Sequence, residues 1–472
     1  MAPKKSYSKI YFIFADSQFP IPNIGIGNLQ SIIYGVTPMN IKELKSAIIG
    51  GSYDKAFLEL YGKNCNLEAV KARYISCADG FEDTYGNKSY GDVRLFSVAG
   101  RSEISGNHTD HNHGKVLAGS ISLDIISVAA TNNDGVIGIK SEGFPEDIVS
   151  LSDVENVKQD EKYKASSIIR GMCDGFKKNG YNIGGYYAYT TSNVLKGSGL
   201  SSSAAFEDMV GNMLSHFYNG GKIDNVEIAK IAQYSENVHF GKPCGLMDQV
   251  ACAVGGFVAI DFKDPQNPIV EKLPFDLDKY GLCLCIVNTG GNHADLNEDY
   301  ASVPGDMKKV AKHLGVEFLR DSSKEELLSR AKEIRSELGD KCLMRALHFF
   351  NENERVTMQK NALATGDLDT FLDGVKASGL SSFTMLQNVY TTKNVDEQGL
   401  SLALALASEV LSKSGRAAWR VHGGGFAGTI QSFVPTELVD EYRNTLENVF
   451  GQGSVYVLNV RKYGAVCLDS LL

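Results

Sequence analysis

Gly197-Ser-Gly-Leu-Ser-Ser-Ser-Ala-Ala205 is the stretch on which the reading of this 472-residue chain turns. Upstream, Gly184-Gly-Tyr-Tyr-Ala-Tyr-Thr-Thr191 is rich in aromatic and threonine residues that favour a strand. Downstream, Val210, Met213, Leu214 and Phe217 recur at helical spacing. The loop therefore joins a strand to a helix amino terminus. Glycines let a backbone approach a ligand closely, and the first helical N–H groups have no partner inside the helix. With the helix dipole, these donors suit a phosphate. The serine hydroxyls add donors and one oxygen able to ligate a divalent cation. A small-residue N-cap with a packing role explains the same residues without a ligand, so further motifs must decide.

The length implies two large domains. Hydrophobic content of 43% and charged content of 22% are ordinary for a soluble globular protein. A net charge of −9 without a basic stripe argues against a nucleic-acid partner. Nine cysteines with no C-x-x-C pair favour reduced thiols and a cytoplasmic location over a disulfide framework. Cys283 and Cys285 alternate along an apolar run and are expected on one face of a strand. No stretch reaches the ~18–20 apolar residues of a membrane span. Oligomeric state is left open, with a monomer slightly favoured.

Residues 1–38 differ in character from the rest. Lys4-Lys5 precede the short apolar run Ile10–Ala15, but Asp16, Gln18, Pro20 and Pro22 follow without a small-residue cleavage site. They read as an appendage, or translation begins at Met39. The expected division is 1–38, an N-terminal domain over 39–265 and a C-terminal domain over 266–472. Helix is expected over 40–75, 204–218, about 226–239 and most of 306–375. Strands are expected at Leu95–Ala99, ending at Gly100, and at 117–128, 184–191, 256–261, 282–288, 429–434, 455–460 and 465–468. Strands and helices mix without a strict β-α-β rhythm, so the fold class is α+β.

Three further clusters bear chemistry. Gly100-Arg-Ser-Glu-Ile-Ser-Gly-Asn-His-Thr-Asp-His-Asn-His-Gly114 is dense in polar groups that can hydrogen-bond a polyhydroxylated ligand, notably Asn107, His108 and Asp110. His108, His111 and His113 invite a metal reading, yet their spacing matches no zinc pattern. Glu236 to Gln249 places Glu236 late in a helix and Asp248 after a Pro/Gly break, where it is either an N-cap or a catalytic group. His422-Gly-Gly-Gly-Phe-Ala-Gly428 is a glycine run before a strand, which a tight turn explains equally well.

In this order, from about residue 90 to the C-terminus, the clusters resemble the galactokinases of the GHMP kinase superfamily. That family's Gly-Arg-x-Asn-x-x-Gly-Glu-His-Thr-Asp-Tyr-Asn is similar to Gly100–Asn112, and its Gly-Leu-Ser-Ser-Ser-Ala is identical to Gly199–Ala204. Its Pro-Cys-Gly-x-Met-Asp-Gln stands at Pro243–Gln249, and Arg345–Arg355 looks like its Arg-Ala-x-His…Glu-Asn-Glu-Arg helix. The resemblance implies a two-domain GHMP fold with the active site between the domains. It implies transfer of a phosphoryl group from ATP, with Mg²⁺, to the anomeric hydroxyl of galactose. Asp248 is then the base and Arg101 sits between it and the transferred group. Gly197, Gly199, Leu200, Ser201, Ser202, Ser203 and Ala204 would cradle the nucleotide phosphates, and Ser203 and Glu236 would hold Mg²⁺. Asn107, His108, Asp110, the Gly245 backbone, Asp248 and Tyr300 would meet the sugar, Tyr300 and His293 keeping the family's spacing.

The chain also departs from the family. Asn107 stands where galactokinases have Glu, which in the family meets the C6 hydroxyl; Ser102-Glu103 replaces an apolar-Asn pair; His111 replaces Tyr. Loss of the Glu and the His at 111 also fit galacturonate kinases, making galacturonate the alternative substrate. If position 107 reads C6, Asn107→Glu is expected to raise activity on galactose and lower it on the uronate. A sensor that binds galactose and ATP without catalysis is the alternative of another class. It is disfavoured by the intact Ser203-Ala204-Ala205, Arg101, Glu236 and Asp248.

Overall fold

A computed structural model describes residues 39–63, 65–194, 199–291 and 296–472. Residues 1–38, Gly197 and His293 lie outside these. Strand β1 (Val93–Ser105) pairs with β2 (Lys115–Thr131) at the centre of a mixed sheet. β3 (Val136–Ser141), β4 (Glu146–Ser150), β5 (Tyr186–Ser192), β6 (Phe257–Asp261), β7 (Ile269–Leu273) and, from the far end of the chain, β12 (Ala465–Cys467) complete it. Its order is β12-β1-β2-β5-β3-β4, with β6 and β7 continuing from the lower half of β2. A second, antiparallel sheet runs β11 (Val455–Leu458), β8 (Leu282–Asn288), β10 (Thr429–Pro435), β9 (Ala418–Val421). Among the described residues no helix is long and apolar enough to cross a membrane.

Period-two side-chain alternation explains why the central sheet is covered on both faces. Ile126, Val128 and Ala130 of β2 pack with the helices Ile41–Ile49, Asp54–Tyr61 and Leu67–Tyr85. Ile125 and Ala129 face the other core, shared with Ala165–Lys178, Ser202–Tyr218 and Met247–Val254. The same alternation puts Leu282, Leu284 and Ile286 of β8 in that large core, while Cys283 and Cys285 face the layer under the helix Gly399–Leu411.

Two expectations are corrected. β1 does not end at Gly100; it continues to Ser105 through register shifts after Ala99 and after Glu103. Gly100 makes the first shift possible, because a Cβ there would lie 2.9 Å from the Leu200 carbonyl oxygen. Residues 101–105 are therefore buried strand, and only 106–114 form the loop. The helix expected to about 239 is α-helical only over Asn225–Tyr234, then widens into a π-turn over Ser235–Phe240 that carries Glu236.

Asp124, at the middle of β2, ties the first layer together. Its Oδ1 accepts from Arg73 Nη1 at 2.5 Å; its Oδ2 accepts from Ser97 Oγ at 2.5 Å, Tyr61 OH at 2.6 Å and Arg461 Nη1 at 2.9 Å. Burial pushes this carboxyl up, but the two guanidiniums and the hydroxyls more than offset it and hold it below the usual range. Removing it leaves Arg461, fully buried, without its counter-charge. Asp124→Ala is expected to lower the unfolding free energy by about 3–5 kcal/mol in urea titrations; a loss under about 1 kcal/mol would overturn this account.

The helix Asp340–Thr365 clamps the polar loop. Buried His348 spans from Ser381 Oγ (2.9 Å from Nδ1) to the Asn107 carbonyl (2.9 Å from Nε2). Burial lowers its pKa to about 3. The unfolded chain, with a histidine near pH ~6.5, then binds the extra proton over the interval between. Stability from this group is present above about pH 6.5 and is lost as pH falls toward 3. Asp124 adds no slope there, because a depressed carboxyl loses its contribution only on more acidic titration. The urea midpoint should fall between pH 7 and pH 5, and His348→Gln should shrink that fall; an equal fall in both proteins would refute the assignment.

Candidate active site

The site assembles where β1 turns past the amino end of the helix Ser202–Tyr218. Ser201 caps that helix in a left-handed conformation (φ 62°), and its hydroxyl makes no capping bond. The first helical N–H groups are thus not consumed by a side-chain cap. Arg101 leaves the Gly100 bulge and fixes the loop from below. Its backbone N–H donates to the Leu200 carbonyl at 3.1 Å, and its guanidinium donates to the Gly199 carbonyl.

The same guanidinium grips Asp248. Nε and Nη2 both donate to Oδ1, at 2.9 and 2.7 Å, and Ser201 Oγ donates to Oδ2 at 2.5 Å. Asp248 lies in the first turn of the helix Met247–Val254, whose N-cap position is Leu246, so it is not the cap. Its side chain is 37% exposed against 7% for Arg101. Burial depresses the Arg101 pKa, but Asp248 more than compensates and the net shift is upward, so the guanidinium stays charged.

Two cavities meet at this pair. One, of ≈ 180 Å³, is bounded by Ser203, Glu236, Lys242, Gly245, Asp248 and Gln249 among others. The other, also ≈ 180 Å³, is walled by Arg101, Glu103, Asn107, His108, Asp110 and Gly424 among others. Asp110 borders both. Gly245 lies close beside it: a Cβ there would come within 2.8 Å of Asp110 Oδ2, so a larger residue would shift that carboxylate.

On the first side, Glu236 is buried and its Oε1 lies 3.2 Å from Lys242 Nζ. Gln249 Nε2 donates both to Glu236 Oε2 (3.1 Å) and to Glu207 Oε2 (3.0 Å). Glu207 Oε1 is buried without a hydrogen-bond partner. Burial, then the neighbouring Glu236, pushes the Glu207 carboxyl well up. Among the described residues no three acidic, histidine or cysteine side chains converge as a metal cluster; Glu236 and Ser203, on one cavity wall, are oxygen donors of the kind Mg²⁺ accepts when waters and substrate phosphates complete its shell.

On the second side, His108 Nε2 lies 2.9 Å from the Gly424 carbonyl, and burial lowers its pKa to about 4. Neutral His108 therefore donates from Nε2 and leaves Nδ1 an acceptor. His111 is exposed with Nε2 3.7 Å from Asp110 Oδ1, and His113 stacks on Phe318 at 3.6 Å, so the three imidazoles do not converge. Asn107 is wholly buried. Tyr300 OH donates to the Gly425 carbonyl at 2.8 Å, which sets it against the glycine turn rather than the cavity wall.

The structure thus brings together Arg101, Asp248, Ser201, Ser203, Glu236, Gly245, Asp110 and His108, while Tyr300 stands behind Gly424–Gly425. Sequence reasoning missed Glu103, Lys242, Glu207 and Gln249, and undervalued the glycine run, whose carbonyls receive Asn107 and His108. Position 103 had a visible signal: Ser102-Glu103 replaces the apolar-Asn pair of the galactokinase pattern.

The chain is similar to known proteins along most of its length. Residues 167–256 match the GHMP kinases N-terminal domain, and residues 79–131 match the galactokinase galactose-binding signature. A galactokinase of Clostridium tetani is 28% identical over 393 residues, 82% of this chain and 93% of the relative. A galactokinase of Lactobacillus helveticus is 29% identical over 360 residues, 75% and 89% of the two chains. In three dimensions the chain is similar to Lactococcus lactis galactokinase complexed with galactose, with TM-score 0.68 and 24% identity over 84% of this chain and 99% of the other. Methanococcus jannaschii mevalonate kinase shares the fold more distantly, with TM-score 0.54, 13% identity and coverage of 79% and 98%. The chain has the GHMP kinase fold, and its likeness to galactokinases over most of its length marks it as a sugar kinase.

Proposed function

We propose that this protein transfers the terminal phosphoryl group of ATP to the anomeric hydroxyl of galactose, releasing ADP and galactose 1-phosphate. The observation that carries the reading is the Arg101–Asp248 pair, set where the polar cavity meets the open helix amino terminus. A phosphoryl group cradled by Gly199–Ala204 and a hydroxyl held beside Asp110 and Gly245 would meet over this pair. The name of the relatives and the galactose-binding signature favour galactose as the sugar.

In the transfer, the anomeric oxygen forms a bond to the terminal phosphorus and the bond to the bridging oxygen of ADP breaks. The hydroxyl proton passes to Asp248. Arg101 occupies Oδ1, so the hydroxyl approaches Oδ2 and competes there with Ser201. A carboxylate is a weak base for a sugar hydroxyl, but in a loose transition state the proton leaves late. Arg101 compensates the charge of Asp248 and faces the transferred group. The backbone N–H groups of Gly199, Leu200, Ser201, Ser202, Ser203 and Ala204 face the phosphates. Ser203 and Glu236 would hold Mg²⁺, which neutralises phosphate charge when bound. Lys242 is drawn to Glu236 and stands ready to pair with a phosphate instead. Asn107, His108, Asp110 and Tyr300 set the sugar side, directly or by shaping the loop.

Asp248→Asn should reduce kcat by roughly 10²–10⁴ while galactose binding, measured by calorimetry, persists. A variant keeping more than about a tenth of kcat would remove Asp248 as the proton acceptor. Glu236→Gln should raise the Mg²⁺ concentration needed for half-maximal ATP turnover by about tenfold or more. An unchanged Mg²⁺ dependence would take Glu236 out of the metal site.

A further inference from the structure

Asn107 cannot offer its amide to a ligand without breaking the loop. Nδ2 donates to Glu103 Oε1 at 2.8 Å and to the Gly423 carbonyl at 2.7 Å. Oδ1 accepts from Asn388 Nδ2 at 2.7 Å and Ser382 Oγ at 3.4 Å. Both donors and both acceptor sites are therefore filled from within the protein, and the side chain is wholly buried.

Glu103 differs. It is 6% exposed and borders the cavity that also holds Arg101, His108 and Asp110. Its Oε1 is taken by Asn107 and lies 3.5 Å from Arg420 Nη2. Its Oε2 has no hydrogen-bond donor among the described residues, yet is not sealed away from the cavity. The register shift after Glu103 and the Gln431 bond to its carbonyl (2.5 Å) fix the backbone beneath it. A buried carboxylate oxygen without a donor is costly unless a ligand supplies one.

We propose that Glu103 is the specificity-determining residue of the sugar cavity. Its Oε2 accepts a hydroxyl of a neutral hexose, and its charge excludes a uronic acid. Asn107 is the positioning residue that aims it. Glu103 and Asn107 hold the residue types of the galactokinase pattern exchanged between two contacting positions, so the carboxylate is moved rather than lost. The cavity wall then carries Glu103, backed by Arg420, and Asp110, while Arg101 is already balanced by Asp248, so one carboxylate is in surplus. A ligand carboxylate would enter this surplus of negative charge unpaired.

This rests on the sugar-kinase reading above, and the test separates the two. The full chain is assayed by ADP release at pH 8 on galactose, galacturonate and the four singly deoxygenated galactoses (2-, 3-, 4- and 6-deoxy). Sugar binding is followed by calorimetry without ATP. The wild type should prefer galactose to galacturonate by more than about tenfold. Glu103→Gln should raise the galactose KM by about 10- to 100-fold, the worth of one charge-assisted hydrogen bond, with kcat within about threefold. That penalty should vanish on the one deoxy sugar that lacks the contacted hydroxyl. Asn107→Glu should lower galactose activity by crowding a second carboxylate against the first, and the exchange Glu103→Asn/Asn107→Glu should recover part of it. A Glu103→Gln penalty equal on all deoxy sugars, a gain on galactose from Asn107→Glu, or preference for galacturonate would each overturn the proposal. Wild-type protein that binds galactose but releases no ADP would refute the kinase reading, and the Glu103→Gln binding loss would still decide this one. Protein that binds neither sugar refutes both.

Discussion

The bond network of Arg101 is the constraint on which the site depends. One side chain reaches a loop carbonyl and the carboxylate of a separate helix, while its own N–H holds a second loop carbonyl. Its planar fork makes these contacts in fixed relative geometry, which a lysine point charge would not do. Together with Ser201, which bonds Oδ2, this residue on a buried strand sets the distance between the helix amino terminus and Asp248. That strand can deliver it only because Gly100 lets the chain bulge against the Leu200 carbonyl. The sequence Gly100-Arg101 is in this sense one mechanical part.

Much of this was legible before any coordinates. The Ser202–Tyr218 helix and the strands flanking it follow from glycine-serine punctuation and periodicity, and the grouping of Arg101, Asp110, Ser203, Glu236 and Asp248 from the resemblance to galactokinases. What was illegible depends on which face a side chain takes in a bulged strand. A polar run such as 101–105 reads as loop because buried strands are seldom so polar. Here its polar groups are absorbed by a second layer, with Ser102 bonded to Gln431 and Arg420 donating to the Ile104 carbonyl. Partners more than 300 residues away in sequence leave no local periodic trace. The π-turn that carries Glu236 is invisible for the related reason that a one-residue widening changes no composition.

The acidic groups around the helix amino terminus show a second tension. Glu207, Asp208, Glu236 and Asp248 cluster near the end of a helix that is also meant to receive phosphates. Burial raises the carboxyls of Glu207 and Asp208 well above their usual range, with Glu236 adding to the shift of Glu207 and Glu207 to that of Asp208. That shift weakens the charge Glu207 and Asp208 set against a phosphate; the other two acids are Glu236 and Asp248. These two are separately compensated, Glu236 by Lys242 and Asp248 by Arg101. The two ion pairs thus offset the acids at this end of the helix, despite the acid count in the sequence.

On the proposed function, balance at the nucleotide side contrasts with imbalance at the sugar side, and the contrast follows from what each would bind. A polyanion is retained by backbone N–H groups, a cation and compensated carboxylates, so acids there must be neutralised or paired. A neutral polyol offers hydroxyl protons, and free carboxylate oxygens are the acceptors that hold them most firmly. Asp110, bordering both cavities, and Glu103, facing only the second, fit that division. Arg420, fully buried, keeps Glu103 affordable by standing 3.5 Å behind Oε1, opposite the oxygen that faces the cavity. The guanidinium thus offsets the burial of the carboxylate without occupying its acceptor. That arrangement has little purpose in a purely structural ion pair, where both oxygens are better filled from within.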